Sequence, residues 1–266
     1  MWLVKLFIWL AVGYGAIVLG AYLLQTWLIF PSGLAGAGPA LPPEAERLAI
    51  ESGGPRVVLT RLPPSRGGAA EAPVLLTFAG NAWNADAAAL MLHRIFPEHE
   101  VAALHYRGYG PSEGRPSAEA LLHDAQRAYD RLTEDREARI VAIGLSIGSA
   151  AAVDLAADRS VAGIVLVTPF GSLEDLAARQ YPWLPVRLLL RHRMETAATL
   201  SDLDVPTAVI AAARDAIVPA ESSDRVRDAA SDLRFFATIE NAGHNDLYDR
   251  QAFVAALRQA VAAVTD

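Results

Sequence analysis

No cysteine occurs among the 266 residues. That excludes disulfides, thiolate metal sites and a cysteine nucleophile, and leaves the redox compartment open, since such a chain tolerates either environment. Runs of lysine and arginine are also missing, and the net charge is −7. The acidic balance argues against a nucleic-acid partner. There is no ligand cluster with metal spacing and no phosphate-binding glycine loop, so neither a metal nor an organic cofactor is expected. No internal repeat is visible. Only 20% of the residues are charged against 53% hydrophobic, which at this length suits one sizeable α/β domain plus a short accessory segment.

The shortage of charge is sharpest at the N-terminus. From residue 6 to residue 24 there is neither charge nor amide, and apolar character runs on to Phe30. A helix over this stretch, at ~1.5 Å per residue, is about 37 Å long, enough to cross a ~30 Å hydrocarbon core with tilt. Trp2, Trp9, Tyr22 and Trp27 supply interface aromatics. Lys5 precedes the span and Glu44 and Glu46 follow it. That charge order favours a single-pass arrangement with the amino terminus in the cytoplasm and the bulk of the chain on the extracytoplasmic side of a bacterial-type inner membrane. Two other readings stand beside this one. Ala35-Gly36-Ala37 resembles a signal-peptide cleavage site, although the apolar region exceeds the ~7–15 residues of such peptides. A buried core helix is the other, set against the absence of an amphipathic face. The expected organisation is a membrane anchor over 1–30, a Pro/Gly/Ala-rich linker over 31–46 and a globular domain over 47–266.

Within the domain, apolar runs short enough for strands alternate with helical spacing. Strands are expected at 57–62 (an edge strand), 74–78, 101–106, 140–143, 163–167, 207–212 and 235–239, with a turn over 65–72. Helices are expected at 84–96, 117–135 (Ser117 capping), 220–230 and 248–264. This alternation implies a mainly parallel sheet covered on both faces, with functional groups gathered beyond the carboxyl ends of the strands.

One stretch organises that rim. Gly144-Leu145-Ser146-Ile147-Gly148 follows an apolar run and leads into an Ala-rich segment, the strand–turn–helix setting that presents a serine hydroxyl as a nucleophile. Asp215 lies just past the strand at 207–212, and His244 just past the strand at 235–239. All three fall on one rim, in the order nucleophile, acid, base. His244 would take the Ser146 proton while Asp215 fixes the imidazole tautomer. Asp246 and Asp204 are the reserve acids. His93, His123 and His192 lie in helix-like segments as surface or packing residues, and His105 lies within a strand in a structural role. The turn after residue 78 (Phe78-Ala79-Gly80-Asn81-Ala82-Trp83-Asn84) would supply a second oxyanion donor, the N–H of Asn81 beside that of Ile147. An ordinary strand–helix turn with Asn84 as N-cap is the plainer and compatible reading.

These motifs, together with Tyr106-Arg107-Gly108-Tyr109-Gly110-Pro111-Ser112-Glu113-Gly114, Asp215-Ala216-Ile217-Val218-Pro219 and Gly243-His244-Asn245-Asp246, resemble the membrane-anchored α/β-hydrolases of the Bem46 type, related to the ABHD serine hydrolases. The resemblance covers residue 47 to the end, and the 25–31 stretch is similar too. It implies the α/β-hydrolase fold and a serine hydrolase acting on esters or thioesters, often lipidic, with Ser146, Asp215 and His244 as triad. Two departures are Ala79, where the family usually has His, and His105, where Asp is common. Residues 169–204 occupy the cap position and carry Tyr181-Pro182-Trp183-Leu184-Pro185, followed by an apolar run. They form either a small greasy lid, with Trp183 and the leucines toward the bilayer, or simply the closure of the core. Trp83, Tyr109 and Trp183 are the candidate substrate contacts. The expected partners are a small-molecule or lipid ester and the membrane. A serine aminopeptidase, for which Glu113, Glu174 or Asp175 would hold the substrate ammonium, and a non-catalytic scaffold are the alternatives. A dehalogenase would need Asp at position 146.

Overall fold

The structure, a computed structural model, describes residues 1–50, 54–67 and 72–265. Its N-terminal helix α1 (Trp2–Ile29) is long and apolar enough to cross a membrane. The strands are β1 (Glu46–Ile50), β2 (Val57–Leu62), β3 (Val74–Phe78), β4 (Val101–His105), β5 (Ile140–Leu145), β6 (Gly163–Val167), β7 (Thr207–Ala212) and β8 (Leu233–Ile239). They form one sheet in the order β1-β2-β4-β3-β5-β6-β7-β8. The β1–β2 and β2–β4 pairs are antiparallel and all others parallel. Helices α2 (Ala85–Ile95), α3 (Ala118–Thr133), α4 (Gly148–Asp158), α8 (Ala220–Ala229) and α9 (Gln251–Thr265) cover the sheet. Three short helices, α5 (Leu173–Gln180), α6 (Val186–Leu189) and α7 (Thr196–Ser201), make up the cap region.

The strands from β3 to β7 are buried along their whole length, as parallel strands with helices on both faces must be. Alternate side chains feed two cores. One, containing Leu76, Phe78 and Leu166, packs against α3, α4 and Val226 of α8; the other, containing Leu75, Val141 and Ile210, packs against α2 and α9. The helix starts follow from their caps. Ser117 Oγ accepts from the Ala120 N–H at 3.0 Å and Asn84 Oδ1 from the Asp86 N–H at 2.9 Å, each satisfying an orphan donor of the first turn.

The expected elements are present, with corrections. β2 is not the edge strand, because β1 pairs outside it. β1 (Glu-Arg-Leu-Ala-Ile) is mostly exposed and carries two charges, so no apolar run announces it. Its first residue falls inside the expected linker. The linker itself is fastened down: Asn84 Nδ2 donates to the Gly36 carbonyl at 3.3 Å, and Phe30 and Pro31 are buried. The terminal helix begins at Gln251, later than expected, because Leu247–Asp249 forms a separate 3₁₀ turn closed by the Arg250 N–H on the Leu247 carbonyl at 3.1 Å. Residues 68–71 of the expected turn lie outside the described residues.

α1 does not stand apart from the domain. Tyr14 Oη donates to the Trp183 carbonyl at 2.9 Å, and Gln25 Nε2 to the Leu189 carbonyl at 3.2 Å. Gln25 Oε1 accepts from the Arg191 N–H at 2.8 Å, and Thr26 Oγ1 and His192 Nε2 are 2.7 Å apart. The second half of the helix therefore lies along the cap.

Candidate active site

Parallel pairing of β5, β7 and β8 through β6 brings their carboxyl ends to one rim. Ser146 sits directly after β5 with φ 53°, a left-handed conformation that costs a non-glycine residue of order 1 kcal/mol or more. The flanking glycines make that turn possible. A Cβ on Gly148 would lie 2.0 Å from the Phe78 carbonyl oxygen, and one on Gly144 would lie 2.4 Å from Ser149 Cα. The turn is pinned by the Ser146 N–H on the Val167 carbonyl at 2.8 Å, and α4 begins at once, with its N-terminus toward the serine.

Three predicted residues are brought together. His244 Nε2 lies 2.9 Å from Ser146 Oγ, and His244 Nδ1 lies 2.7 Å from Asp215 Oδ2. An ionised carboxylate can only accept, so the ring proton on that side belongs on Nδ1, leaving Nε2 to accept from the serine hydroxyl. Asp215 is held in turn: its Oδ1 accepts from the N–H groups of Ile217 at 2.9 Å and Val218 at 2.7 Å. Its side chain is 2% exposed and that of His244 10%, so water is largely kept from the relay. The two loops are also tied to each other, the Arg214 N–H donating to the Ala242 carbonyl at 2.8 Å. Asp246 Oδ1 accepts from the Gly243 N–H at 2.7 Å and its carboxylate pairs with Arg250, so this reserve acid braces the histidine loop from outside the relay. Asp204 is an exposed loop acid.

The register of β3 against β5, Phe78 opposite Gly144, sets the 79–84 loop beside the serine turn. Among the described residues, neither the backbone N–H of Asn81 nor that of Ile147 is given to a protein acceptor. The loop lacks the family's histidine at Ala79 and is held from three other directions. Tyr106 Oη donates to the Ala79 carbonyl at 2.6 Å, Tyr109 Oη to the Asn81 carbonyl at 2.5 Å, and Asn81 Nδ2 to the Ile29 carbonyl of α1 at 3.3 Å. Burial pushes the Tyr106 and Tyr109 phenols well above their ordinary range, so both stay protonated donors.

The candidate substrate contacts divide. Tyr109 is buried and rests edge-on to Tyr106 at 5.6 Å, so its ring supports the loop. Trp83 is half-buried and its ring lies 4.6 Å from that of Tyr248, bracing the loop toward the histidine side. Trp183 is 54% exposed at the cap tip, beside Tyr14. His192 is in no helix; it is buried between Thr26 and the Ala118 N–H, edge-on to Phe30. His105 is fully buried in a polar cluster with Thr60, Asp86 and Arg47. Tyr106, Gln25, Thr26 and Arg191 had no assigned role. The one local signal was Gln25, the first amide to interrupt the apolar run.

The strand order, the strained serine turn and the relay on the carboxyl rim together define an α/β-hydrolase. Solved structures agree on the fold. An esterase of Pyrococcus furiosus superposes with a TM-score of 0.68 at 14% identity, covering 87% of this chain and 96% of that one. A bacterial membrane phospholipase A superposes at 0.65 and 18% identity over 100% of this chain and 99% of that one. An uncharacterized protein of Mycobacterium tuberculosis is 34% identical over 242 residues, 87% of this chain and 85% of its own length. The α/β-hydrolase domain-containing protein WAV2 of Arabidopsis thaliana is 28% identical over 78% of this chain and 77% of its own. Protein bem46 of Schizosaccharomyces pombe is 34% identical over 42% and 40%. No family model matches. The chain has the α/β-hydrolase fold and is a relative of the Mycobacterium tuberculosis protein, with more limited similarity to WAV2 and bem46.

Proposed function

We propose that the protein is a membrane-anchored serine hydrolase that cleaves carboxylic esters or thioesters of lipid or acyl substrates. The observation that carries this reading is the unbroken chain of short contacts from Asp215 through His244 to Ser146 Oγ, set on a strained turn at a helix N-terminus. Ser146 Oγ attacks the acyl carbon as its proton passes to His244 Nε2, and the charge on the carbonyl oxygen is met by the N–H groups of Ile147 and Asn81. Collapse expels the alcohol or thiol, which takes the proton from His244. Water, deprotonated by the same nitrogen, then attacks acyl-Ser146 and releases the acid. Asp215 holds the imidazole in the accepting tautomer and offsets its transient charge. In this reading α1 anchors the domain, and Lys5 before the span favours an amino terminus on the cytoplasmic side.

An aminopeptidase draws less support. Glu174 and Asp175 are engaged by Arg187, Arg193 and Arg225, which competes with a substrate ammonium, and Glu113 is an exposed loop acid. The deciding measurement is fluorophosphonate labelling and turnover of a short activated ester by the full chain, wild type against Ser146→Ala. Labelling and turnover that need Ser146 are expected. A folded wild type that neither labels nor turns over in detergent would move the protein to the scaffold class.

A further inference from the structure

Between the last turns of α1 and the cap lies an apolar cavity of about 270 Å³. Its walls include Leu28 and Ile29 from the helix and Ala177, Leu184, Leu189 and Leu190 from the cap. We infer that this groove is a binding site for one acyl chain of a bilayer lipid, opening sideways into the membrane and leading toward Ser146. The inference deepens the proposed function and rests on the reading of α1 as a membrane helix.

Depth gives the first argument. At ~1.5 Å per residue, the 28 residues of α1 rise about 40 Å. Tyr14, halfway along, is bonded to the Trp183 carbonyl, so only the half before it projects clear of the domain, about 18 Å. A bilayer core of ~30 Å cannot be spanned by that half alone. Either α1 does not cross, or the cap tip enters the hydrocarbon beside it. The composition of the tip fits entry: Tyr181, Trp183 and Leu188 are 47%, 54% and 86% exposed. The Tyr14 hydroxyl at that level is matched by the Trp183 carbonyl, as lipid requires. The water boundary is marked about 12 Å further along, where the Arg191 guanidinium lies 4.9 Å from the Tyr22 ring centre and donates to the Tyr22 carbonyl at 3.2 Å, an interfacial pairing.

Chemistry and size give the second. The groove is near the lower end of the ~300–1,000 Å³ usual for small-ligand sites, which suits one chain and not a whole two-chain lipid. Moving a chain from lipid into such walls releases no ordered water, so the gain is positional. The inner end explains why that matters: Ile29 lines the groove, and its carbonyl accepts from Asn81 Nδ2, the residue to which the proposed mechanism gives an oxyanion-binding N–H.

The test uses the full-length Ser146→Ala variant in phosphatidylglycerol–phosphatidylethanolamine vesicles. The vesicles carry a trace of phospholipid with a photoreactive diazirine on one chain. The expected result is adducts mapping to residues 21–29 and 177–190, competed by excess palmitate. Adducts should fall at least tenfold when Ala177→Trp fills the groove, with folding checked by circular dichroism and melting. In the active chain, Ala177→Trp should lower the hexadecanoyl-to-butanoyl ratio of kcat/KM at least tenfold. Adducts confined to the free half of α1, unaffected by Ala177→Trp, would overturn the proposal. So would a cross-link between two copies through the groove. Wild type active on butanoyl ester with an unlabelled groove defeats this inference alone. A labelled groove with turnover indifferent to Ser146→Ala defeats the serine-hydrolase reading alone.

Discussion

Asn81 Nδ2 donates to the carbonyl oxygen of Ile29 across 3.3 Å, so the loop beside Ser146 is tied to the last turn of the N-terminal helix. Phe30, the next residue, is 1% exposed in the core shared with Phe78 and Tyr106. The helix end thus serves as part of the site's frame as well as a tether.

The first prediction follows. Asn81→Ala removes the bond to Ile29 but keeps the backbone N–H, so kcat on a soluble ester should fall roughly tenfold, the effect of about 1.4 kcal/mol, with little change in KM. Phe30→Ala leaves a cavity and should cost about 3–5 kcal/mol of stability, read from urea unfolding in detergent. An N-terminal helix that were only a tether would leave both measurements unmoved.

The tyrosines supply the second prediction. With alanine at position 79, Tyr106 and Tyr109 supply two of the three bonds that hold the loop, the third being that of Asn81 to Ile29. Either Tyr→Phe change deletes one buried hydroxyl and leaves a carbonyl unmatched, worth about 1–3 kcal/mol. Single variants should lower kcat roughly five- to tenfold. Because both act on one loop, the double variant should lose more or less than the product of the two. A strictly multiplicative result in a double-mutant cycle would show that the two hydroxyls act independently.

The serine turn yields the third. Gly148→Ala would put a methyl 2.0 Å from the Phe78 carbonyl oxygen, and neither β3 nor α4 can retreat without opening the two-faced core. Soluble yield should collapse, and any folded fraction should label with fluorophosphonate far more slowly than wild type. A Gly110→Ala control, where a Cβ meets nothing within 4 Å, tests whether the loss comes from that contact.

The meeting of Ser146, His244 and Asp215 was legible because its signals are local: glycines spaced about Ser146, and Asp215 and His244 each just past an apolar strand. The parallel sheet was legible for the same reason, since strands buried on both faces read as unbroken apolar runs. β1 was not, because it forms by pairing with β2 and offers the alternation of a half-exposed edge in only five residues. The attachment of α1 to the cap was not legible either. It rests on contacts such as Gln25 to Leu189 and Thr26 to His192, between residues more than 160 positions apart, where chemistry at one end does not name its partner. Tyr109 shows the same limit: its place in a glycine-rich turn made it a candidate substrate contact, and only packing reveals its burial and its bond to the Asn81 carbonyl.

The last prediction concerns acid. Asp86 is buried at the start of α2 against Thr60, His105 and Arg47. Burial works against its charge, but hydrogen bonds from His105, Thr60 and Arg47 outweigh that and hold the carboxyl at about 2, down from 3.8. A carboxyl with a depressed folded pKa stabilises the protein above its unfolded pKa, and that stability is lost as pH falls through the folded value. About 2 kcal/mol should therefore be present above pH ~5 and decline between pH ~4 and ~2. Asp86→Asn should unfold in less urea than wild type at pH 6, by an amount of that order. The gap should narrow toward pH 3, since the wild type is then losing what the variant never had. A constant gap across that range would mean that Asp86 contributes through shape and neutral hydrogen bonding, without a charge that depends on the fold.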